Sequence, residues 1–360
     1  MAASPSHDVT ELRLDAEAIA AVDTSDMLAD IVGLPEHLRD ALWKIEAAIL
    51  DPWDSPGGLV VAGMGGSAVG GALARAMLGA HASRPVLASR QYGLPAWTTP
   101  DTTILCASYS VNTEETLACY EAAGALGAPR VVVASGGRLA ELARADRVPV
   151  IPVAGGFQPR AAVAYMTVAA LEVAWLCGAG PRMGAEIDVA ADHLEQLVVE
   201  WDAESAEDCE AKALARALHD SVPVIGGSGL TTPIAYRWKT QFNENAKIPA
   251  FTHELPELDH NELVGWRDAS SLGRFAAIFL DDSDTHPRVK SRIALTRELI
   301  GDSATGTHVV QTRGRTAVER VLSLVLLGDL VSLYVAVLRG TDPTPVEAIE
   351  SLKGRLAEGS

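Results

Sequence analysis

Short, nearly continuous apolar runs alternate along the chain with longer segments whose apolar residues recur at helical spacing. "GGLVVAGMGGS", "TTILCASYS" and "APRVVVASGG" read as buried strands that end in glycine or serine. "SAVGGALARAMLGA" and "NTEETLACYEAAGALG" read as the helices that follow two of them. Strands apolar on both faces, separated by helices, predict an α/β fold: a mostly parallel sheet with helices on both sides, three layers deep. Residues 1–39 precede this alternation as an acidic, mostly helical lead-in.

The same order then recurs. "VPVIGGSGLTTPIAYRWKTQF" repeats strand, glycine turn and helix, and "RFAAIFLDDSDTHPRVKSRIALTREL" repeats strand, polar turn and helix. "THVVQTRGRTAVERVLSLV" matches "RVVVASGGRLAELARA". A chain of 360 residues is also longer than one core usually holds. The pattern predicts two similar domains, 40–180 and 200–340. A helical link joins them, with Pro181 and Gly184 near its start, and a tail, 341–360, follows.

One apolar run tests a different class. "VLSLVLLGDLVSLYVAVL", from Val321 to Leu338, is long enough to span a bilayer. Asp329 lies at its centre, with Ser323 and Ser332 on either side. A buried helix of an α/β domain accounts for it better, and no membrane partner is expected.

Charge narrows the partners further. The formal net charge is −18, which repels nucleic acid and anionic membranes. An anionic ligand would need a local pocket that overcomes this field. Cys106, Cys119, Cys177 and Cys209 lie far apart and form no C-x-x-C pair, which suits reduced thiols in a cytoplasm. The first twenty residues carry neither a basic n-region nor an apolar h-region, so no secretory signal is expected.

Ligands of open α/β sheets bind at the carboxyl ends of the strands. There the first repeat offers Ser67, Ser108, Ser110 and Thr113, whereas the second offers Asp281, Asp282 and Asp284. A carboxylate cluster repels phosphate, so only the first repeat is a candidate phosphate binder. "GMGGSAVGG" itself has three readings. Gly63-x-Gly65-x-x-Ala68 fits the permissive dinucleotide pattern, a weak signal alone. The next strand, "RPVLASR", has no acidic residue for a ribose, although Arg90 could meet a 2′-phosphate. Alternatively the glycines serve only tight packing. In the third reading, hydroxyls at two strand ends, each before a helix N-terminus, surround a phosphomonoester without adding charge. "NTEE" also reads as a capping box, with Asn112 as N-cap and Glu115 three residues on.

Serine-rich strand ends in tandem copies resemble the sugar isomerase (SIS) domain. "NENAKIPAFTHELPELDHNELVGW" resembles the signature of the bifunctional phosphoglucose/phosphomannose isomerase family, and "GMGGSAVGG", "SYSVNTEET", "GFQPRAA" and "PTPVEAIESLK" agree with it in the same order. The resemblance covers nearly the whole chain from about residue 25. It implies two tandem SIS domains and aldose–ketose isomerisation of glucose 6-phosphate or mannose 6-phosphate to fructose 6-phosphate. It assigns the phosphate to Gly66, Ser67, Ser108, Ser110 and Thr113. Glu244 of the N-E-N motif becomes the isomerisation base. His260 of L-D-H-N-E assists ring opening, reaching the site of the partner subunit in a homodimer. Arg160 lies beside the reacting carbons, and Lys353 of the terminal helix belongs to the site. One departure stands out: the family usually has glycine where Val111 follows Ser110. A β-branched residue resists positive φ, so phosphate affinity would fall if the loop needs that geometry.

Such a set suits the chemistry. A shielded carboxylate can move a proton between C2 and C1, a permanent guanidinium can stabilise the enediolate, and a histidine can shuttle the ring proton. The scheme calls for no metal and no cofactor. Outside the motif context each residue has a plainer reading. Glu244 would be a helix-surface carboxylate, His260 a loop hydrogen-bonder with His253 as its rival, Arg160 a salt-bridge partner and Lys353 a solvated charge. A non-catalytic phosphosugar-binding protein of the same fold is the alternative.

Overall fold

The computed structural model describes residues 13–110 and 112–358; Val111 lies outside them. Among the described residues nine strands form two sheets, parallel throughout. The first orders β1 (Leu59–Ala62), β2 (Val86–Ser89), β3 (Thr103–Ser108), β4 (Arg130–Ala134) and β5 (Val150–Pro152) as β2-β1-β3-β4-β5. The second orders β6 (Val222–Gly227), β7 (Phe251–Glu254), β8 (Phe275–Asp281) and β9 (Gly306–Gln311) as β7-β6-β8-β9. Parallel pairing puts every strand's carboxyl end on one edge, with Ser108 of β3 opposite Ala134 of β4.

The helices of the first half are α1 (Ala16–Val22), α2 (Met27–Val32), α3 (Leu34–Ala47), α4 (Gly65–Leu78), α5 (Glu114–Leu126), α6 (Gly137–Ala145) and α7 (Val163–Leu176). Those of the second are α8 (Gly184–Trp201), α9 (Glu210–Leu218), α10 (Thr232–Glu244), α11 (Ala269–Leu272), α12 (Pro287–Ile300), α13 (Ala317–Leu338) and α14 (Glu347–Glu358).

Side chains alternate across each strand, so an apolar strand feeds two cores. Val60, Ile104 and Val132 meet Leu117 of α5 and Leu139 of α6 on the outer face of the first sheet. Val61, Leu105 and Val131 meet α4 and α7 on the inner face. In the second sheet, Val224 and Phe279 face outward onto Ile293 and Ile300 of α12. Ile225, Ile278 and Leu280 face inward, onto the same continuous core as the first sheet. The two αβα units therefore share one inner helical layer, in which α4 packs on α7 and α10 on α13, with α3 and α8 filling in.

The second repeat departs from the first at its end. Matching "RTAVERVLSLV" to "RLAELARA" equates α13 with α6, but α6 lies on an outer face and α13 lies in the inner layer, where α7 sits in the first repeat. Composition explains the difference: α6 is apolar on one side only, whereas α13 is apolar all round and must be enclosed. The candidate spanning segment is thus an interior helix, with 94% of its most apolar stretch buried in the fold.

Candidate active site

The carboxyl edge of the first sheet gathers three loops. Ser67 is buried in the first turn of α4, and its Oγ accepts from the Tyr109 amide at 3.3 Å. Ser108 ends β3, and its Oγ donates to Thr113 Oγ1 at 3.1 Å. Thr113 Oγ1 also shares a hydrogen bond with Ser110 Oγ at 2.8 Å, so one hydroxyl links both serines. Tyr109, between those serines, reaches the third loop: the Phe157 amide donates to its hydroxyl at 2.7 Å.

Two helices begin at this cluster without a side-chain cap. The N-cap of α4 is Met64, which has no side chain able to cap. The N-cap of α5 is Thr113, not Asn112, and its hydroxyl is committed to the serines rather than to the helix. The expected Asn112–Glu115 capping box does not form. Asn112 Oδ1 instead accepts from the Arg138 amide at the start of α6 (3.3 Å), because the chain turns into α5 one residue later than the pattern suggests. Uncapped helix N-termini and neutral hydroxyl donors form an anion cradle.

Glycines bring Arg160 to this cradle. A Cβ on Gly66 would lie 2.7 Å from the Pro159 carbonyl and 3.2 Å from the Arg160 Cα, so only glycine lets α4 start this close to the 157–160 loop. Gly65, with φ of +52°, supplies the left-handed residue that turns the chain into α4.

Arg160 is buried, at 2% exposure, and its guanidinium is nearly saturated. Nε donates to Asn245 Oδ1 at 2.7 Å, and Nη1 faces Glu244 Oε2 at 3.5 Å. Nη2 donates to the carbonyls of Pro343 at 2.7 Å and Thr344 at 3.2 Å. Burial lowers the Arg160 pKa from its usual value, and Glu244 is the strongest influence holding it up. Glu244 is the last residue of α10, where the helix ends and its side chain is about one quarter exposed. Asn245 is anchored in turn, since its Nδ2 donates to Ser332 Oγ of α13 at 2.9 Å. The carboxylate and the guanidinium thus face one another beside a half-open edge, an arrangement suited to moving a carbon-bound proton and stabilising the oxyanion that results.

Two groups here escape sequence reading. Lys247 Nζ donates to the carbonyls of Glu244 (2.6 Å) and Pro343 (2.7 Å). Burial, then the Arg160 charge, bring its pKa down from the usual lysine range to about 8. Its only sequence signal is its place three residues after Glu244 in "NENAK". The second group is Arg237, buried on α10. Its Nε donates to Asp329 Oδ1 at 3.0 Å, and its Nη2 donates to the Arg160 carbonyl at 3.0 Å. Burial pushes the Asp329 carboxyl up, and Arg237 is the main influence opposing it.

His260 and Lys353 stand apart. His260 is the exposed last residue of a 3-10 turn, Glu257–His260, that follows edge strand β7. Lys353 lies on the exposed helix α14. Neither side chain makes a hydrogen bond or ion pair among the described residues. His253, the rival histidine, is on β7 and contacts Glu262.

In the second sheet the equivalent edge is occupied by protein charges. Arg320 pairs with Asp282 at 2.9 Å and Asp284 at 2.8 Å, and Thr312 donates to Asp282 at 2.8 Å. Those carboxylates take up the donors that a phosphate would need.

Comparison with known proteins follows the same division of the chain. Residues 207–356 match the family described as "Bacterial phospho-glucose isomerase C-terminal SIS domain". A bifunctional phosphoglucose/phosphomannose isomerase of Caldicellulosiruptor bescii is 39% identical over 342 residues, covering 92% of this chain and 99% of the relative. A protein of the same description from Thermoplasma acidophilum is 36% identical over 299 residues, covering 83% and 89%. Among solved structures, a hypothetical protein from Thermus thermophilus superposes with a TM-score of 0.74 at 16% identity, covering 97% of this chain and 94% of that one. The C-terminal domain of glucosamine-fructose-6-phosphate aminotransferase from Francisella tularensis gives 0.65 at 16%, covering 89% and 97%. At such identities these two likenesses show the fold alone: two parallel sheets with helices around them.

Proposed function

The chain belongs to the bifunctional phosphoglucose/phosphomannose isomerase family, and on that premise we propose that it interconverts glucose 6-phosphate and mannose 6-phosphate with fructose 6-phosphate. The two aldoses differ only in configuration at C2, so loss of the C2 proton gives one enediolate from either. In this reading Glu244 takes that proton and returns it at C1. Arg160 stabilises the enediolate oxygen, and Gly66, Ser67, Ser108, Ser110 and Thr113 hold the phosphate. The observation that carries the reading is the Glu244–Arg160 pair standing beside a hydroxyl cradle at two helix N-termini.

His260 and Lys353 complete the site in this proposal. The protein acts as a homodimer, in which His260 of each chain serves ring opening in the other. Lys353 is carried into the site by the tail once substrate is bound. The exposure of both side chains, neither of which makes a hydrogen bond or ion pair among the described residues, supports this arrangement. The reaction takes place in the cytoplasm and needs no metal or cofactor.

Coupled turnover of both aldose phosphates by the purified protein is the test. Turnover of each is expected. Binding of sugar phosphate with no turnover of either would replace this reading with that of a non-catalytic phosphosugar-binding protein.

A further inference from the structure

The segment between α13 and α14 crosses the site as a strap, and two cations grip it at one atom. Arg160 Nη2 and Lys247 Nζ both donate to the Pro343 carbonyl, each at 2.7 Å. Arg160 also takes the Thr344 carbonyl at 3.2 Å. Lys247 further takes the carbonyls of Glu244 at 2.6 Å and Asn245 at 3.5 Å, at the end of α10. Its backbone lies in the left-handed region, with φ of +55°. A non-glycine residue holds that conformation only where its surroundings over-determine it.

A lysine near a helix C-terminus often does no more than cap the last carbonyls. Capping accounts for the bonds to Glu244 and Asn245. It leaves the third unexplained, to a carbonyl 96 residues away that the site arginine shares. The strap is also held from the lead-in, where Thr24 Oγ1 donates to Asp342 Oδ2 at 2.8 Å.

We propose that Lys247 is a positioning residue for the isomerisation: its ammonium latches the 342–344 strap to the turn carrying Glu244, and the latched strap holds Arg160 against the base. The inference rests on the reading of Glu244 and Arg160 given above. The charged groups facing the ammonium are Glu244 from α10, Arg160 from the loop before α7 and Asp342 from the strap itself. Asp23 at the end of α1 faces Asp342 in turn. The latch requires the charged form. Burial and Arg160 favour the neutral amine, so the latch loosens as pH rises through about 8.

The test uses the full chain and two readouts. In the first, kcat and KM for both aldose phosphates are followed across pH for the wild type, Lys247→Gln and Lys247→Arg. In the second, amide hydrogen exchange is measured over residues 341–346. Lys247→Gln is expected to lower kcat roughly ten- to a hundredfold, the scale of a slightly misplaced catalytic group, with a smaller change in KM. Wild-type kcat should decline with a midpoint of about 8. Lys247→Arg should keep most of the activity and move that decline upward, because guanidinium stays charged. Strap exchange should rise in Lys247→Gln and in the wild type at alkaline pH. Unchanged exchange in Lys247→Gln overturns the latch whether or not the protein is an isomerase. Wild-type kcat and pH profile in Lys247→Gln overturn its positioning role. Absence of turnover by the wild type itself, with strap exchange still rising in Lys247→Gln, overturns the proposed reaction and leaves the latch standing.

Discussion

Asp329, the one charge at the centre of the long apolar helix α13, is paired with Arg237 across the inner helical layer, Oδ1 to Nε at 3.0 Å. The same guanidinium holds the Arg160 carbonyl. A polar flaw in an apolar segment is thus the far end of the support for the candidate catalytic arginine. Removing one partner of a buried pair strands the other charge, which costs about 3–5 kcal/mol, whereas replacing both with apolar residues is far milder. Arg237→Met should therefore destabilise by roughly that amount in chemical denaturation, and Arg237→Met with Asp329→Leu by much less. Both variants should lose kcat, because both release the Arg160 carbonyl. Equal destabilisation of the single and double variants would count against a paired charge.

Thr113 is the hub of the hydroxyl cradle, touching Ser108 and Ser110 at once. Thr113→Val keeps the shape and removes the hydroxyl. Hydrogen bonds to charged groups are worth about 1.5–3 kcal/mol, so KM should rise roughly ten- to a hundredfold. The phosphate is common to both substrates and distant from C1 and C2. The rise should therefore be equal for glucose 6-phosphate and mannose 6-phosphate, with little change in kcat. A loss confined to one aldose would show that Thr113 reads the sugar instead.

These residues were legible to very different degrees. The parallel sheets followed from short runs apolar on both faces, because burial on both sides leaves no other place for them. Ser108, Ser110 and Thr113 were legible because they lie within six consecutive residues at one strand end. Asp329 was legible as an anomaly but not as a pair, since Arg237 lies 92 residues earlier. Lys247 was invisible for the same reason: the carbonyl that gives it meaning comes from the far end of the chain. The capping reading of "NTEE" failed because Asn112 found a better use at the start of α6. Helix α13 departs from its matched counterpart α6 because it is apolar all round and must be enclosed, which the match between the two segments' opening residues passes over.

His37 carries a pH dependence of its own. It is packed edge-on against Phe157, with ring centroids 4.6 Å apart, in the loop that leads to Arg160. Burial depresses its pKa, more than Glu36 and Asp40 raise it. The unfolded chain therefore binds a proton near pH 6.5 that the folded chain refuses. Stability is unaffected above that value and is lost as pH falls from about 6.5 toward the depressed folded value. His37→Phe keeps the ring and removes the titration. Subtracting its melting temperatures from those of the wild type should isolate a loss confined to that acid window. A flat difference would mean that His37 charges freely in the folded state.

The division of labour between chains can be tested by complementation. In the proposed homodimer each site takes Glu244 from one subunit and His260 from the other. Glu244→Gln and His260→Ala should each be strongly impaired alone. After unfolding together and refolding, about half of the dimers pair one variant chain with the other by random association. In such a mixed dimer one site receives both intact residues, and the other receives both substitutions. Activity should then return to about a quarter of the wild-type value, half the dimers with half their sites. Sites built within one chain would contain a substitution in every case, and the mixture would stay at the average of its parents. Recovery therefore separates a shared site from two self-contained ones, whatever the rate of ring opening in water.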